Sequence, residues 1–419
     1  DGENTLLDID DYVSTVTVQL GADDSTHGAT TNVAFEDSSE VDINLKTSSG
    51  TADVVNMKLV DTDDSAGTID VDAAGVETLN IELSTDAESH TVSLAGVAPT
   101  TGSNVAINIS KGVSTDGIVI SDVHAKVNVI DASALVGTLT LSDRGSSAMT
   151  ITGGSANDTL RMEHGSDVMD GGDGTGDTLN VVKSAILGGI AVDLTSTTDQ
   201  ITTFNGSANS TVTKGFENVD LSGYTGSFGA DITGAATGST ITGTTNADVI
   251  TLEDATTNVD DVIHFDSGKS ADQITNFTIA ANEDKIEFDL SELEAAANLT
   301  DNAINFVDIF DNNDVAISDN IVIDDLSAAA AATDTQNLFW INGVNAATAD
   351  AAVDLLETGG SRALSFAGNI AANDAFLFAY ETGTVTRIAA AVFIAADDNS
   401  GGAAATGAGN LDGIDLLEF

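Results

Sequence analysis

The sequence predicts a mainly β chain: an elongated parallel β-solenoid or β-roll over most of its length, followed by a C-terminal β-rich domain with short helices. Three observations predict this. Short segments alternate apolar and polar residues with period two, and turns of Asp, Ser, Gly and Thr separate them. A block of sequence recurs: Ile130-Asp131-Ala132-Ser133 and Gly137-Thr138-Leu139 reappear as Val219-Asp220-Leu221-Ser222 and Gly226-Ser227-Phe228. Between Gly153 and Asn180, three consecutive segments keep a nine-residue phase. Stacked repeats of this kind bury a continuous core only against their neighbours.

Taken in order, the alternating segments begin with Val13 to Leu20 and Val41 to Leu45. They continue with Val54 to Leu59, Thr68 to Val71, Thr78 to Leu83, Val105 to Ile109 and Lys126 to Ile130. Helical periodicity of useful length is missing here, so residues 1–122 read as N-terminal β-rich repeats. A first solenoid module is expected over 123–190 and a second over 191–293. The block that recurs extends downstream, because Thr150-Ile151-Thr152-Gly153 with Asp158 returns as Thr240-Ile241-Thr242-Gly243 with Asp248. Two further echoes relate Asp199-Gln200-Ile201-Thr202 to Asp272-Gln273-Ile274-Thr275, and Gly75-Val76-Glu77-Thr78 to Gly215-Phe216-Glu217-Asn218. From about 294 to 419 the character changes. Ala328 to Ala332 and Ala346 to Leu356 suggest short helices, set among strands at Asn337 to Ile341 and Ala375 to Tyr380.

Composition bounds the function. Among 419 residues, 12 Lys and Arg stand against 67 Asp and Glu, a net charge of −55. A chain so acidic cannot neutralise phosphates, which excludes a nucleic-acid partner. The acids favour Asp, 51 to 16 Glu, and the shorter carboxylate suits turns and hard-cation sites. Hydrophobic residues make up 42% but aromatics only 5%, so the core must rest on Val, Ile, Leu and Ala. One Pro and 40 Gly leave chain reversals to Gly, Asn and Asp. The absence of Cys excludes disulfides and thiolate zinc sites. The longest wholly apolar run, Ile388 to Ala396, is far below the ~18 residues of a membrane span, so no transmembrane segment is expected. No Sec-type signal precedes the first strand, and the chain is expected to be a processed product or the ordered part of a longer one.

The nine-residue phase carries the candidate chemistry. The pattern G-G-x-G-x-D-x-U-x, with U a large apolar residue, lets glycines turn the backbone and aim carbonyls at a cation, supplies a carboxylate from Asp, and sends U into the core. The first segment runs from Gly153 through Ser155, Asn157 and Asp158 to Leu160. The second offers Gly165, Asp167 and Met169. The third runs from Gly171 through Asp173, Thr175 and Asp177 to Leu179 and carries one extra residue. Two nonapeptides make one coil, so the turn holding Gly153 and Asp158 should stack on the turn holding Gly171 and Asp177. Asp167 falls on the opposite side. One calcium site is expected in this stack, and a second cluster, with Asn246 and Asp248, aligns with the first.

These nonapeptides, followed by Asp272-Gln273-Ile274-Thr275-Asn276-Phe277 and Glu283-Asp284-Lys285-Ile286-Glu287-Phe288, resemble the array and array-closing segment of RTX proteins exported by type I secretion. With Asp131-Ala132-Ser133-Ala134-Leu135 and the β-rich N-terminal half, the chain is similar to calcium-dependent bacterial S-layer proteins of that superfamily. The resemblance covers roughly 128 to 290. It implies RTX-like turns that bind Ca2+, an extracellular location on a bacterial cell surface, and self-assembly into a lattice. It also implies a cell-envelope polysaccharide partner bound through a region outside this chain. The segment Leu411 to Phe419, acidic with an apolar end, resembles the uncleaved export signal of that route and equally reads as a last strand.

Other motifs lead nowhere. The five histidines are scattered and lack zinc spacing. Gly268-Lys269-Ser270 lacks the upstream Gly of a phosphate loop, and Asp311-Asn312-Asn313-Asp314 lacks the Gly at the sixth position of an EF-hand. No nucleophile elbow occurs, so no enzyme is expected. The sequence therefore points to a structural surface protein. The alternative is an adhesin or an extracellular filament subunit that binds a cell surface or glycan. High-salt adaptation is a rival account of the charge, but it does not require a nine-residue phase.

Overall fold

A computed structural model describes residues 6–9, 16–20, 30–35, 40–45, 53–59, 68–83, 89–99, 104–113, 116–144, 147–252, 259–265, 272–277, 284–288, 323–325, 330–331, 338–356, 361, 364–365, 375–382, 386–393 and 414–418. The chain divides into two compact units, one of residues 1–225 with 233–241 and one of residues 226–232 with 242–419.

In the first unit, successive strands go alternately to two parallel sheets, the arrangement of a β-solenoid with two strands in each coil. The first sheet holds nine strands in the order Leu6–Ile9, Thr30–Phe35, Val54–Leu59, Thr78–Leu83, Val105–Lys111, Val127–Leu135, Thr150–Thr152, Val168–Asp170 and Thr213–Lys214. The second runs through Val16–Leu20, Glu40–Leu45, Thr68–Ala74, Ser89–Ala98, Gly117–Val123, Thr138–Leu141, Thr159–Met162, Thr178–Val181 and Asn218–Asp220. Strands Val54–Leu59 and Thr78–Leu83 have the bounds that period-two alternation predicts, and every second residue in each is buried. Five strands up to Leu141 go beyond the expected set: Leu6–Ile9, Thr30–Phe35, Ser89–Ala98, Gly117–Val123 and Thr138–Leu141. Ser89–Ala98 is hidden in the sequence because its alternation breaks after Leu94: the next buried residue is Val97, three positions on, where the pairing shifts register. Gly117–Val123 runs across the boundary expected at 122.

Parallel registry stacks like residues in columns. Val55 faces Leu79, Leu79 faces Ile107, Ile107 faces Ile130, Ile130 faces Ile151 and Ile151 faces Met169. Each of these side chains has no exposed surface, and each contributes roughly 1.5–3 kcal/mol of transfer free energy when buried. Beside this column, Asn80 donates to Asn56 at 2.6 Å and Asn108 donates to Asn80 at 2.7 Å. A side-chain amide can do both at once because it carries a donor and an acceptor.

Coil length sets where the turns fall. Asn56 and Asn80 are 24 residues apart, and Asn80 and Asn108 are 28 apart. At the nonapeptides the coil contracts: Thr150 faces Val168, a spacing of 18 residues. Thr159 faces Thr178, the 19-residue spacing that the one extra residue of the third segment requires. The next coil is 40 residues long, from Asn180 to Asp220. It accommodates an antiparallel insertion of Ile190–Asp193, Ile201–Phe204 and Ser207–Ala208. Tyr224 anchors that insertion by donating to the Gly188 carbonyl at 2.8 Å and meeting Phe204 edge-on, with 6.0 Å between ring centroids.

In the second unit, Val249–Thr251 pairs in parallel with Gln273–Thr275, and Val262–Phe265 with Lys285–Phe288. A separate sheet orders Ile323–Asp325, Leu338–Asn345, Ala375–Glu381, Thr386–Phe393 and Ile414–Glu418. Ile414–Glu418, within the candidate export segment, is a strand paired antiparallel to Thr386–Phe393. The helix expected at 346–356 forms over Ala349–Leu356, where Thr348 Oγ1 accepts from the Ala351 N–H. The helix expected at Ala328 to Ala332 does not form. Ala330–Ala331 is a strand paired with Leu364–Ser365, since five alanines are too few to sustain a helix against a strand partner. No helix among the described residues is long and apolar enough to cross a membrane. Gly268 to Ser270 and Asp311 to Asp314 lie outside the described residues.

Candidate metal centre

The turn before Thr159–Met162 and the turn before Thr178–Val181 stack as the nine-residue phase predicts. Asp173 N–H donates to the Gly154 carbonyl at 2.9 Å, Thr175 N–H to Asn157 Oδ1 at 3.3 Å, and Gly153 N–H to the Asp170 carbonyl at 2.9 Å. The glycines permit this closeness: a Cβ on Gly153 would lie 2.0 Å from the Gly171 carbonyl oxygen, and one on Gly171 would lie 1.9 Å from that of Gly215. The apolar position of each segment enters the core, and Leu160, Met169 and Leu179 have no exposed surface. Ser155, Asn157, Asp173 and Thr175 are exposed at the rim of the stack. Ser155 N–H bonds the Leu135 carbonyl.

Two buried carboxylates, Asp158 and Asp177, and the half-buried Glu217 run through this corner of the solenoid, each accepting a backbone N–H from the coil before it. Asp158 Oδ1 accepts from Leu139 N–H at 2.6 Å and Oδ2 from Gly154 N–H at 2.5 Å. Asp177 Oδ1 accepts from Asp158 N–H at 2.7 Å, and Glu217 Oε2 from Asp177 N–H at 3.0 Å. Asp177 Oδ2 is buried and has no hydrogen-bond partner. A Cβ on Gly174 would lie 2.6 Å from that oxygen, so only glycine admits it there. Burial, reinforced by Asp158, Glu217 and Asp170, pushes the Asp177 carboxyl up to about 7. Burial also raises Asp158 and Glu217 above their ordinary values.

The weak echo of Gly75-Val76-Glu77 in Gly215-Phe216-Glu217 is a shared device. Both glycines have positive φ, 87° and 77°, and Val76 and Phe216 are buried. Glu77 accepts from Asp53 N–H as Glu217 accepts from Asp177 N–H. Glutamate was not among the candidate residues. Its signal in the sequence is the Gly-x-Glu repeat itself. The echo of Asp199-Gln200 in Asp272-Gln273 is shared at the aspartate alone: Asp199 accepts from Thr213 N–H and Asp272 from Asp248 N–H, but Gln200 is buried and bonds Leu194 and Phe216, whereas Gln273 is exposed.

The remaining candidates are engaged otherwise. Asp167 is wholly buried and paired with the buried Arg144, whose guanidinium donates to both carboxylate oxygens. Three backbone N–H groups, of Met149, Glu163 and His164, fill the rest of that carboxylate. The Gly165 carbonyl accepts from Thr211 Oγ1 at 2.9 Å, and Gly165 abuts the Phe204 ring, 3.0 Å from where a Cβ would stand. In the second cluster Asp248 accepts from Ala230 N–H, Thr244 N–H and Thr244 Oγ1, while Asn246 Nδ2 donates to the Gly226 and Phe228 carbonyls. Burial raises Asp248 to about 6 and its neighbour Asp272, which accepts from Asp248 N–H at 2.8 Å, to about 8.

An acidic oxygen buried without a partner needs a proton or a cation. Asp177 supplies one within the nonapeptide stack, beside Asp158, Glu217 and Asp170, and Asp116 Oδ1 is buried in the same way outside it. Bound at Asp177, Ca2+ would neutralise the corner and tie two coils together. Among the described residues no group of three or more His, Asp or Glu side chains is arranged to hold a metal. A site made of main-chain carbonyls and one carboxylate per turn does not require such a group. Fold and corner together define a parallel β-solenoid with carboxylate-capped turns. Comparison with family models, with curated proteins and with solved structures finds no match.

Proposed function

We propose that the chain is a structural protein of the bacterial cell surface, exported by type I secretion, that folds with Ca2+ outside the cell and self-assembles into an S-layer lattice. The observation that carries this reading is the contraction of the solenoid to coils of 18 and 19 residues at the nonapeptides, with a buried, partnerless Asp177 oxygen in the stack. Millimolar external calcium would occupy that corner and drive the unfolded exported chain toward the solenoid by mass action. The charge of −55 supports the lattice. Copies so acidic repel one another until divalent cations screen or bridge them. A cell-envelope polysaccharide would be engaged through a region outside this chain. Electron microscopy of the purified protein after calcium addition tests the reading: ordered two-dimensional sheets that dissolve in chelator are expected. Dispersed monomers that bind glycans in the same calcium overturn the lattice in favour of the adhesin.

A further inference from the structure

We infer that Arg144 is a built-in cation that decides which nonapeptide turn takes a metal ion, because its guanidinium occupies the cation position of the second turn. The inference deepens the calcium reading above and rests on it for the identity of the ion. The second nonapeptide keeps the Asp of its neighbours but has Met162-Glu163 in place of their Gly-Gly pair, and its carboxylate is the one that carries an arginine. Both side chains of the Arg144 and Asp167 pair are inaccessible to solvent. The guanidinium bridges two kinds of oxygen: Nη1 and Nη2 donate to the Asp167 carboxylate, and Nη2 also donates to the main-chain carbonyl of Ser147 at 2.5 Å. A carboxylate and a backbone carbonyl are the donor types a hard divalent cation takes from a turn.

The contrast with Asp177 gives the inference its force. There the oxygen is buried without any partner and burial pushes the acid up. At Asp167 the charge is already compensated and every carboxylate oxygen is filled. The two turns come from consecutive nonapeptides, so the difference lies in what the preceding coil supplies. Arg144 lies 23 residues before Asp167, on the coil below. Met149, 18 residues before Asp167, gives it the same backbone N–H that Asp158, 19 residues back, gives Asp177, so the guanidinium is what the second turn has in addition. With 12 basic residues in the chain, one spent in full burial is a costly placement unless it meets a need. A fixed cation lets this coil close without metal, leaving calcium to govern the corner that holds Asp177.

Calcium counting by equilibrium dialysis on the full chain tests this with three proteins: wild type, R144M, and R144M/D167N. R144M is expected to bind one divalent ion more than the wild type, because the bridged oxygens are released. R144M/D167N, which removes both charges together, is expected to return to the wild-type count. An R144M count equal to the wild type, or a double variant that binds one ion fewer than the wild type, overturns the inference. If R144M does not fold in chelator, its refolding on calcium addition, with no such rescue needed by the double variant, is the expected result, and an R144M that stays unfolded in calcium overturns the inference. A wild type that binds none defeats the calcium reading, whereas a gain in R144M would still establish Arg144 as the occupant of a cation position.

Discussion

At the scale of single residues, the corner is governed by where each carboxylate finds its counter-charge. Asp177, Asp248 and Asp272 are raised to about 7, 6 and 8, all above the ~3.9 of a free Asp. The folded state therefore holds protons that the unfolded state has released between about pH 4 and pH 8. By linkage, the stability these groups provide is full below the unfolded value and is lost as pH rises through the folded values. In chelator, the melting temperature should fall across that window, and calcium should raise it most at the alkaline end. A rising melting temperature in chelator contradicts the assignment. Arg144 predicts a different signature. Stranding one partner of a buried pair costs roughly 3–5 kcal/mol, so R144M should lower the urea midpoint in chelator far more than R144M/D167N. Two glycines separate architecture from binding. G171A drives a Cβ to within 1.9 Å of the Gly215 carbonyl oxygen and should cost about 3 kcal/mol with or without calcium. G174A meets the Asp177 carboxylate instead and should weaken calcium binding more than the apo fold.

At the scale of elements, the coil is legible wherever one face is buried and the period is two. Val54–Leu59 and Thr78–Leu83 follow from alternation alone, and the contraction to 18 residues follows from the nonapeptide phase. What the sequence hides is long-range. Nothing local marks Arg144 as the partner of Asp167, and the Gly-x-Glu repeat that marks Glu217 does not name Asp177, 40 residues away, as the residue it caps. The antiparallel insertion lengthens one coil without disturbing the registry on either side, so it reads as more strands of the same kind. Ala330–Ala331 shows the converse, a helical composition overruled by a paired strand. The asparagine column offers a test of how the coils are tied. Asn80 donates to Asn56 and accepts from Asn108, so N80A breaks two bonds. A loss of roughly 1–3 kcal/mol in urea unfolding is expected. A change below about 0.5 kcal/mol, the span of ordinary surface substitutions, would mean that the apolar columns alone hold the registry.

At the scale of the whole molecule, −55 charges on 419 residues make counter-ions part of the fold's energetics. Most of the acids lie outside any motif, and among the described residues Asp158, Asp177 and Asp248 are buried and cap backbone N–H groups. Calcium at about 100 times its dissociation constant adds roughly 2.7 kcal/mol. At roughly 2–4 °C per kcal/mol, that is a rise in melting temperature of roughly 5–11 °C. The most direct measurement is thermal unfolding followed by circular dichroism in fixed high NaCl, with calcium and with chelator, for the wild type and D177N. Fixed NaCl removes general screening as an explanation. The account predicts a higher melting temperature in calcium for the wild type and little or no such increment in D177N. Equal melting temperatures of the wild type in calcium and in chelator would contradict it.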